Sequence, residues 1–263
     1  MNSKIYDLLR PFYKPVFKAL RSRLVTEHTF VRHPEVAIPR PWDYVQFQVE
    51  RNLHAYLHTS CEKIKNIAIV GANDGAEFDS MEKAYPNACF IMFEPSPKYF
   101  PALQERFTNS PKARCVSKAC GKQSGTMRFY ELPLAGNGSL LRPNPEEWQR
   151  FTKWEDSTIS EYEVQVTTLD HEISGPLDLL WVDVQGAELQ VLEGARTTLS
   201  NTKAVFLEVA LAKNPYAGGA LLHELNGLLE NSGHKLVLLG LDPWNFTGNA
   251  LWVRGVDELV TKE

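Results

Sequence analysis

Two glycines, Gly71 and Gly75, enclose the tripeptide Ala72-Asn73-Asp74 directly after an apolar run. A strand that ends in a glycine turn and continues into a helix is a common way of holding a nucleotide. The dinucleotide fingerprint G-x-G-x-x-G needs a second glycine so that the backbone can approach a pyrophosphate. Because Asn73 stands at that position, the spacing argues against a nicotinamide or flavin dinucleotide and favours another nucleotide.

An acidic residue, Glu94, ends the next apolar run, about twenty residues after Gly75. A carboxylate at the end of the second strand of a nucleotide-binding sheet accepts hydrogen bonds from ribose hydroxyls. Together, the turn and Glu94 predict a nucleoside that has a ribose but no pyrophosphate. S-adenosylmethionine fits that description.

Two further carboxylates, Asp183 and Glu208, close the apolar runs 178–184 and 203–209. With S-adenosylmethionine as the donor, methyl transfer requires alignment of the acceptor and removal of any proton that the acceptor loses. Asp183 and Glu208 are therefore the candidate catalytic residues, although Asp183 is equally suited to binding the amino group of the donor. Glu188 falls in the first turn of the following helix, where an interaction with the helix dipole explains it as well as catalysis does.

A divalent cation held by Asp183 and Glu208 is a less favoured alternative, because separation in sequence says nothing about their distance. No metal ligand is therefore assigned. Ala119 and Cys120, which follow the third apolar run, are expected to line the adenine pocket. Asp170 follows a Thr-Thr-Leu run and is expected to cap a helix rather than to catalyse.

The elements that position these residues alternate between strands and helices from residue 66 onward. Near-continuous apolar runs indicate strands buried on both faces, as in a parallel sheet. The link between the last two strands is too short for a helical crossover, so the final strand is expected to be antiparallel. The predicted strands are 66–70, 88–94, 113–119, 178–184, 203–209, 234–240 and 249–255, and the main helices are 77–84, 97–107 and 187–199.

Residues 1–60 are predicted to form an N-terminal helical segment and linker, and residues 61–263 the main domain. The long interval 131–160 is expected to form a lid-like insertion that carries acceptor choice. Residues 1–23 are basic and amphipathic, which suits a helix on a membrane surface. Packing on the domain or on a second subunit is the favoured interpretation, because one short helix with prolines has little membrane affinity.

The net charge of −4 argues against nucleic acid as a partner. No apolar run approaches a membrane span, and the N-terminus lacks the apolar core of a signal peptide. The four cysteines show no CxxC spacing, and Cys89 and Cys115 are expected to be buried thiols. These features favour a cytoplasmic location.

With these motifs, the sequence resembles the FkbM-type methyltransferases over about residues 66–255. The resemblance implies a Rossmann-like class I methyltransferase fold with helices on both faces of the sheet. It also implies S-adenosylmethionine as cofactor and an oxygen of a sugar, glycan or natural product as acceptor. It places Pro95 at the cofactor with Gly71, Ala72, Asn73, Asp74, Gly75, Glu94, Ala119, Cys120 and Asp183. The motifs on which the resemblance rests are "VGANDG" (70–75), "FEPSPKYFPAL" (93–103), "TTLD" (167–170), "VDVQGAELQVLEGA" (182–195), "FLEV" (206–209) and "NALWVR" (249–254).

Three positions depart from the family's usual pattern. Ile69 replaces an Asp, Trp181 replaces a Lys and Gln185 replaces a Glu. These changes are expected to remove charge where cofactor and acceptor meet. They favour an alternative hypothesis, a scaffold module that binds S-adenosylmethionine without turnover.

Overall fold

The computed structural model describes residues 52–58, 63–133, 136–148, 159–241 and 247–255. The predictions for residues 1–23 and for a boundary between residues 60 and 61 fall outside these ranges. The boundary and the role of the N-terminal segment therefore stay predictions.

The described elements alternate as the apolar runs predict. The strands are β1 (Asn66–Val70), β2 (Cys89–Phe93), β3 (Ala113–Val116), β4 (Ala119–Cys120), β5 (Gly125–Glu131), β6 (Gly138–Ser139), β7 (Ser160–Thr167), β8 (Leu177–Val182), β9 (Thr202–Ala210), β10 (His234–Leu241) and β11 (Thr247–Arg254). The helices are α1, which includes residues 52–58, α2 (Ala76–Ala84), α3 (Phe100–Phe107), α4 (Pro145–Trp148), α5 (Leu169–Glu172), α6 (Glu188–Glu193), α7 (Arg196–Ser200) and α8 (Leu222–Asn231).

A seven-stranded main sheet has the order β3-β2-β1-β8-β9-β11-β10. The neighbours from β3 to β9 pair in parallel, whereas β11 is antiparallel to both β9 and β10. This topology confirms the predicted Rossmann-like α/β fold, including its antiparallel last strand. It also sets the carboxyl ends of β1, β2, β8 and β9 along one edge.

Apolar clusters cover both faces of this sheet. On one face, Leu53 of α1 and Phe78 of α2 pack with Ile67 of β1. On the other face, Leu192 of α6 and Leu225 of α8 pack with neighbouring strand residues. Burial on both faces explains why these strands lack the polar alternation of a half-exposed sheet. The prediction that Cys89 and Cys115 are buried is only partly right, because Cys115 is half-buried but Cys89 is exposed.

A second sheet, of four strands in the order β4-β7-β5-β6, was not predicted. The predicted strand 113–119 is wrong at its end, because the chain turns after Val116, whose carbonyl accepts from the Lys118 backbone N–H at 2.9 Å. Ala119 and Cys120 then pair with β7 in the second sheet. This sheet stands beside the carboxyl edge of the main sheet and contributes one wall of the site described below.

The described part of the insertion packs on the loop that follows β9. The Asn144 N–H donates to the Pro215 carbonyl at 2.7 Å, and the Ala217 N–H donates to the Arg142 carbonyl at 2.8 Å. The ring of Trp148 meets the ring of Tyr216 edge-on. These contacts bring the insertion next to the ends of β8 and β9, and its role as a lid stays a prediction.

The predicted helix 187–199 is divided into α6 and α7 at Gly194. A Cβ atom on Gly194 would lie 2.0 Å from the Gly121 carbonyl oxygen, so only glycine permits this close approach. Asp170 caps α7, since its carboxylate accepts from the backbone N–H groups of Thr197 and Thr198. Its predicted capping role is thus present, but on a neighbouring helix. No helix in the described ranges is long and apolar enough to cross a bilayer.

Candidate active site

The glycine turn connects β1 to the ends of both neighbouring strands. The backbone N–H groups of Gly71 and Ala72 both donate to the Phe93 carbonyl at 2.9 Å. Gly71 has a φ of +85°, and a Cβ atom there would lie 1.8 Å from the carbonyl oxygen of Asp183. Gly71 is therefore required by the neighbouring protein backbone, whereas the sequence suggested a requirement set by the nucleotide.

Glu94 lies beside this turn with its carboxylate buried. One carboxylate oxygen accepts from the Asn73 N–H and the other from the Ser96 N–H, each at 2.8 Å. Burial raises the pKa of Glu94 to about 7, although the two backbone hydrogen bonds oppose the shift. Each oxygen keeps a second lone pair with which it can accept from a ligand hydroxyl.

A cleft opens over the ends of β1, β2 and β8, and we call it the donor cleft. Seven of the predicted cofactor residues line it, namely Gly71, Asn73, Glu94, Pro95, Ala119, Cys120 and Asp183. The structure thus brings together residues from four separate strand ends, as the topology requires.

Three predicted cofactor residues do not line the donor cleft. Ala72 is fully buried in the core beneath the turn. Asp74 is exposed, and its carboxylate accepts from the Ala76 N–H at the start of α2. Gly75 is the N-cap of α2 in a left-handed conformation and faces Leu103. In this structure these three residues have local roles in the turn, and their contact with the cofactor stays a prediction.

Glu131 is a lining residue of the donor cleft that the sequence did not reveal. It comes from β5, and its carboxylate accepts hydrogen bonds from the hydroxyls of Ser96 and Tyr162. Lys98 forms an ion pair with it at 3.3 Å. No local pattern in the sequence predicts that β5 lies beside the main sheet. The available signal for Glu131 was that a polar residue ends an apolar run.

The second pair of predicted site residues, Asp183 and Glu208, is joined through Gln185. The Gln185 side-chain nitrogen donates to Asp183 Oδ1 at 2.7 Å and to Glu208 Oε2 at 3.2 Å. The Gln185 side-chain oxygen accepts from the Tyr216 hydroxyl at 3.1 Å. Asp183 and Glu208 are therefore neighbours across one amide group, which confirms that the two strand ends converge.

Glu188 completes a cluster of buried acids. Its carboxylate accepts from the backbone N–H of Gly186 at 3.0 Å, so it stabilises the turn before its own helix. Burial raises its pKa to about 7. Removal from water also raises the pKa of Asp183, which the Gln185 hydrogen bond lowers in part. The pKa of Glu208 is raised well above its usual range by burial and by the Asp183 and Glu188 charges.

A second cleft lies at the end of β9 and the loop that follows it, and we call it the acceptor cleft. Glu208 lines this cleft, whereas Asp183 lines the donor cleft. The other lining residues are Gly186, Glu188, Val209, Ala210, Asn214, Pro215, Tyr216 and Thr247. The two candidate catalytic carboxylates thus belong to different clefts.

The arrangement does not suit a metal ion held between Asp183 and Glu208. The Gln185 nitrogen, a donor that does not bind cations, occupies the position between the two carboxylates. Across the described ranges, no group of three His, Cys, Asp or Glu side chains is arranged to bind a metal.

Only one of the three departures from the family pattern lies at the clefts. Ile69 and Trp181 are buried in the core cluster on the α2 face of the sheet and line neither cleft. The expectation that they remove charge at the cofactor is therefore wrong. Gln185 also lines neither cleft, but its amide bonds to Asp183, which lines the donor cleft, and to Glu208, which lines the acceptor cleft.

The sheet order and the cleft at its carboxyl edge define an α/β protein of the Rossmann-like methyltransferase class. The family model of the methyltransferase FkbM domain matches residues 70–236. The chain belongs to this FkbM methyltransferase family.

Among known proteins, the chain is similar to the 2-O-methyltransferase NoeI of Sinorhizobium fredii, with 29% identity over 154 residues. That match covers 53% of this chain and 60% of NoeI, so the chain spans about 60% of the length of this curated relative. A solved FkbM methyltransferase from Methylobacillus flagellatus is 15% identical, with a TM-score of 0.49 and coverage of 72% of this chain and 43% of that chain. Magnesium protoporphyrin IX methyltransferase from Synechocystis, solved with bound S-adenosylmethionine, is 11% identical, with a TM-score of 0.46 and coverage of 95% and 96%.

Proposed function

We propose that this chain transfers the methyl group of S-adenosylmethionine to a hydroxyl oxygen of a sugar, glycan or natural product. The observation that carries the proposal is the pair of clefts over adjacent strand ends, joined by Gln185 between Asp183 and Glu208. Family membership supports methyl transfer. The printed activity of NoeI, 2-O-methylation, supports an oxygen acceptor.

The donor cleft fits a nucleoside that carries a ribose and a cationic group. Glu94 offers carboxylate oxygens to ribose hydroxyls, and the side-chain oxygen of Asn73 is buried without a hydrogen-bond partner among the described residues. Asp183 supplies negative charge for the cationic end of the donor. When bound, S-adenosylmethionine supplies a methyl group already activated by the positive charge on sulfur.

Glu208 is the proposed proton acceptor in this mechanism. Its carboxylate lines the acceptor cleft, and its raised pKa makes it a stronger base once it is ionised. The oxygen of the acceptor forms the new bond to the methyl carbon, the bond between that carbon and sulfur breaks, and the hydroxyl proton passes to Glu208.

The acceptor cleft favours an uncharged hydroxyl compound. Its described lining residues include Glu188, Glu208 and the amide Asn214, but no Lys or Arg. A carboxylate or phosphate beside the reacting hydroxyl would find no cationic partner among these residues and would meet a like charge whenever Glu188 or Glu208 is ionised. The described acceptor cleft therefore favours neutral sugars over acidic ones.

Calorimetry with S-adenosylhomocysteine and transfer of a radiolabelled methyl group to a panel of sugars, glycolipids and polyketides test the proposal. The wild-type protein is expected to bind the product and to label at least one neutral hydroxyl compound. Glu208→Gln is expected to lower transfer by about 10²- to 10⁴-fold, with binding of the product retained. Glu163→Gln, on the exposed side of β7, is the matched control and should change neither.

Failure of the wild-type protein to bind either S-adenosylmethionine or S-adenosylhomocysteine would contradict the proposal. Tight binding without transfer to any panel member would instead support the scaffold alternative. The departures at Ile69 and Trp181 no longer favour that alternative, because both residues lie in the core.

A further inference from the structure

Gln185 has an unusual backbone conformation for its residue type. Its φ is +56°, and Asn73 is the other non-glycine residue with positive φ among those described. A glutamine in the left-handed region is strained, and such strain concentrates at functional sites. The conformation aims the side chain between the ends of β8 and β9, where three hydrogen-bonding partners meet it.

The hydrogen bonds of Gln185 are complementary to its amide group. The two N–H bonds of the side-chain nitrogen point to the carboxylates of Asp183 and Glu208. The side-chain oxygen accepts from the Tyr216 hydroxyl. The amide oxygen thus faces Tyr216 and the amide nitrogen faces the acids, where its N–H groups offset part of the repulsion between the two carboxylates.

We propose that Gln185 is a positioning residue that holds Asp183 and Glu208 in a fixed arrangement between the donor and acceptor clefts, with Tyr216 bonded to the other end of its amide. The inference rests on the proposed function, because it assigns the donor to the Asp183 side and the acceptor to the Glu208 side. A glutamate at this position would lack both N–H donors and would add a third charge to the pair.

Several titratable groups surround the bridged pair, so the test must separate them. Glu188 and Tyr216 interact electrostatically with Asp183 and Glu208. The donor cleft also contains other titratable side chains, namely Glu94, Glu131, Tyr99, Lys118 and Cys120. A shift in pH dependence is therefore assigned to the bridge only when it disappears once Asp183 no longer titrates.

The experiment measures binding of S-adenosylhomocysteine by calorimetry between pH 5 and pH 9, which requires no acceptor. Gln185→Gly removes the amide and suits the left-handed backbone, whereas Gln185→Glu keeps the side-chain length. In both variants, the pH below which binding of S-adenosylhomocysteine weakens is expected to rise by about one pH unit or more. At pH values below this point, the affinity of each variant should be roughly tenfold lower than that of the wild type, whereas at pH 9 the two affinities should differ little.

The matched controls separate positioning from folding. Tyr216→Phe should give a smaller shift in the same direction, because the amide then loses its orienting partner. In the Asp183→Asn background, Gln185→Gly should produce no shift. Binding by Gln185→Gly with the wild-type pH profile, or a shift in Gln185→Gly that Gln185→Glu does not share, would overturn the inference and leave the proposed function intact. Absence of binding in the wild-type protein would instead remove the proposed function itself, and with it this assignment.

Discussion

Ile69 on β1 lies directly opposite Trp181 on β8 in the parallel register of the main sheet. Both side chains are buried, and the ring of Trp181 packs on Phe206 with 4.1 Å between centroids. The family pattern has an Asp and a Lys at these two positions, so two apparent departures are a single paired replacement. Two apolar side chains of one cluster stand where two opposite charges would be neighbours, and neither lines a cleft.

Restoring one charge alone should therefore destabilise the protein. Ile69→Asp and Trp181→Lys each leave an unpaired charge in the core, which we expect to cost about 3–5 kcal/mol of unfolding free energy. The double variant should be more stable than the sum of the two losses, because the new charges are neighbours. Urea unfolding measures these differences, and Ile69→Val is the control, with a loss of about 1 kcal/mol. A strictly additive double variant would show that the two positions are independent.

The two glycines of the turn differ in what surrounds them, although their φ values are +85° and +86°. A Cβ atom on Gly71 meets the Asp183 carbonyl oxygen at 1.8 Å, whereas one on Gly75 meets the flexible side chain of Leu103 at 3.0 Å. Gly75→Ala should cost about 1–2 kcal/mol for the left-handed conformation alone. Gly71→Ala should cost clearly more, about 3 kcal/mol or beyond, because two backbone segments must separate. Equal losses in thermal or urea unfolding would refute the role of the β8 contact.

How far the sequence predicts the structure depends on the range of the interactions. The runs of β1 and β8 are buried on both faces, so composition alone locates them within a residue or two. The convergence of Asp183 and Glu208 follows from parallel topology, which places strand ends at one edge. Pairing of β7 with β5 and β4 is a long-range choice that no local period records, so the wall carrying Glu131 was missed. Likewise, the bridging role of Gln185 depends on distances between three segments.

Glu94 should be the main carboxylate that recognises the nucleoside. In Glu94→Gln, an amide NH₂ group replaces one carboxylate oxygen. Because both oxygens accept from backbone N–H groups, this NH₂ group must face the N–H of either Asn73 or Ser96. We expect affinity for S-adenosylhomocysteine to fall by roughly tenfold to a hundredfold. One oxygen that accepts hydrogen bonds is lost, and the new NH₂ group faces a backbone N–H, which is also a donor. Calorimetry measures the change, and Glu82→Gln on the exposed side of α2 is the control. Unaltered affinity in a folded Glu94→Gln protein would exclude this role.

His234 should make the stability of the protein depend on pH. The ring is buried at the start of β10, with Nε2 at 3.0 Å from the Thr202 carbonyl oxygen. Burial, together with the Arg254 charge, lowers its pKa to about 4. Since the pKa of an unfolded histidine is about 6.5, the unfolded chain binds more protons between these two values. The stability contributed by neutral His234 is therefore present above pH 6.5 and is lost as the pH falls towards 4.

The loss should amount to about 2 kcal/mol between pH 7 and pH 5. Glu94 and Glu188 act in the opposite direction, because their pKa values of about 7 lie above those of the unfolded chain. The difference between wild type and His234→Gln in urea unfolding isolates the histidine, since the glutamine amide can still donate to Thr202 without titrating. His223→Gln, at an exposed position on α8, should keep the wild-type pH dependence. If His234→Gln and wild type lose stability in parallel from pH 7 to pH 5, His234 is not the group responsible.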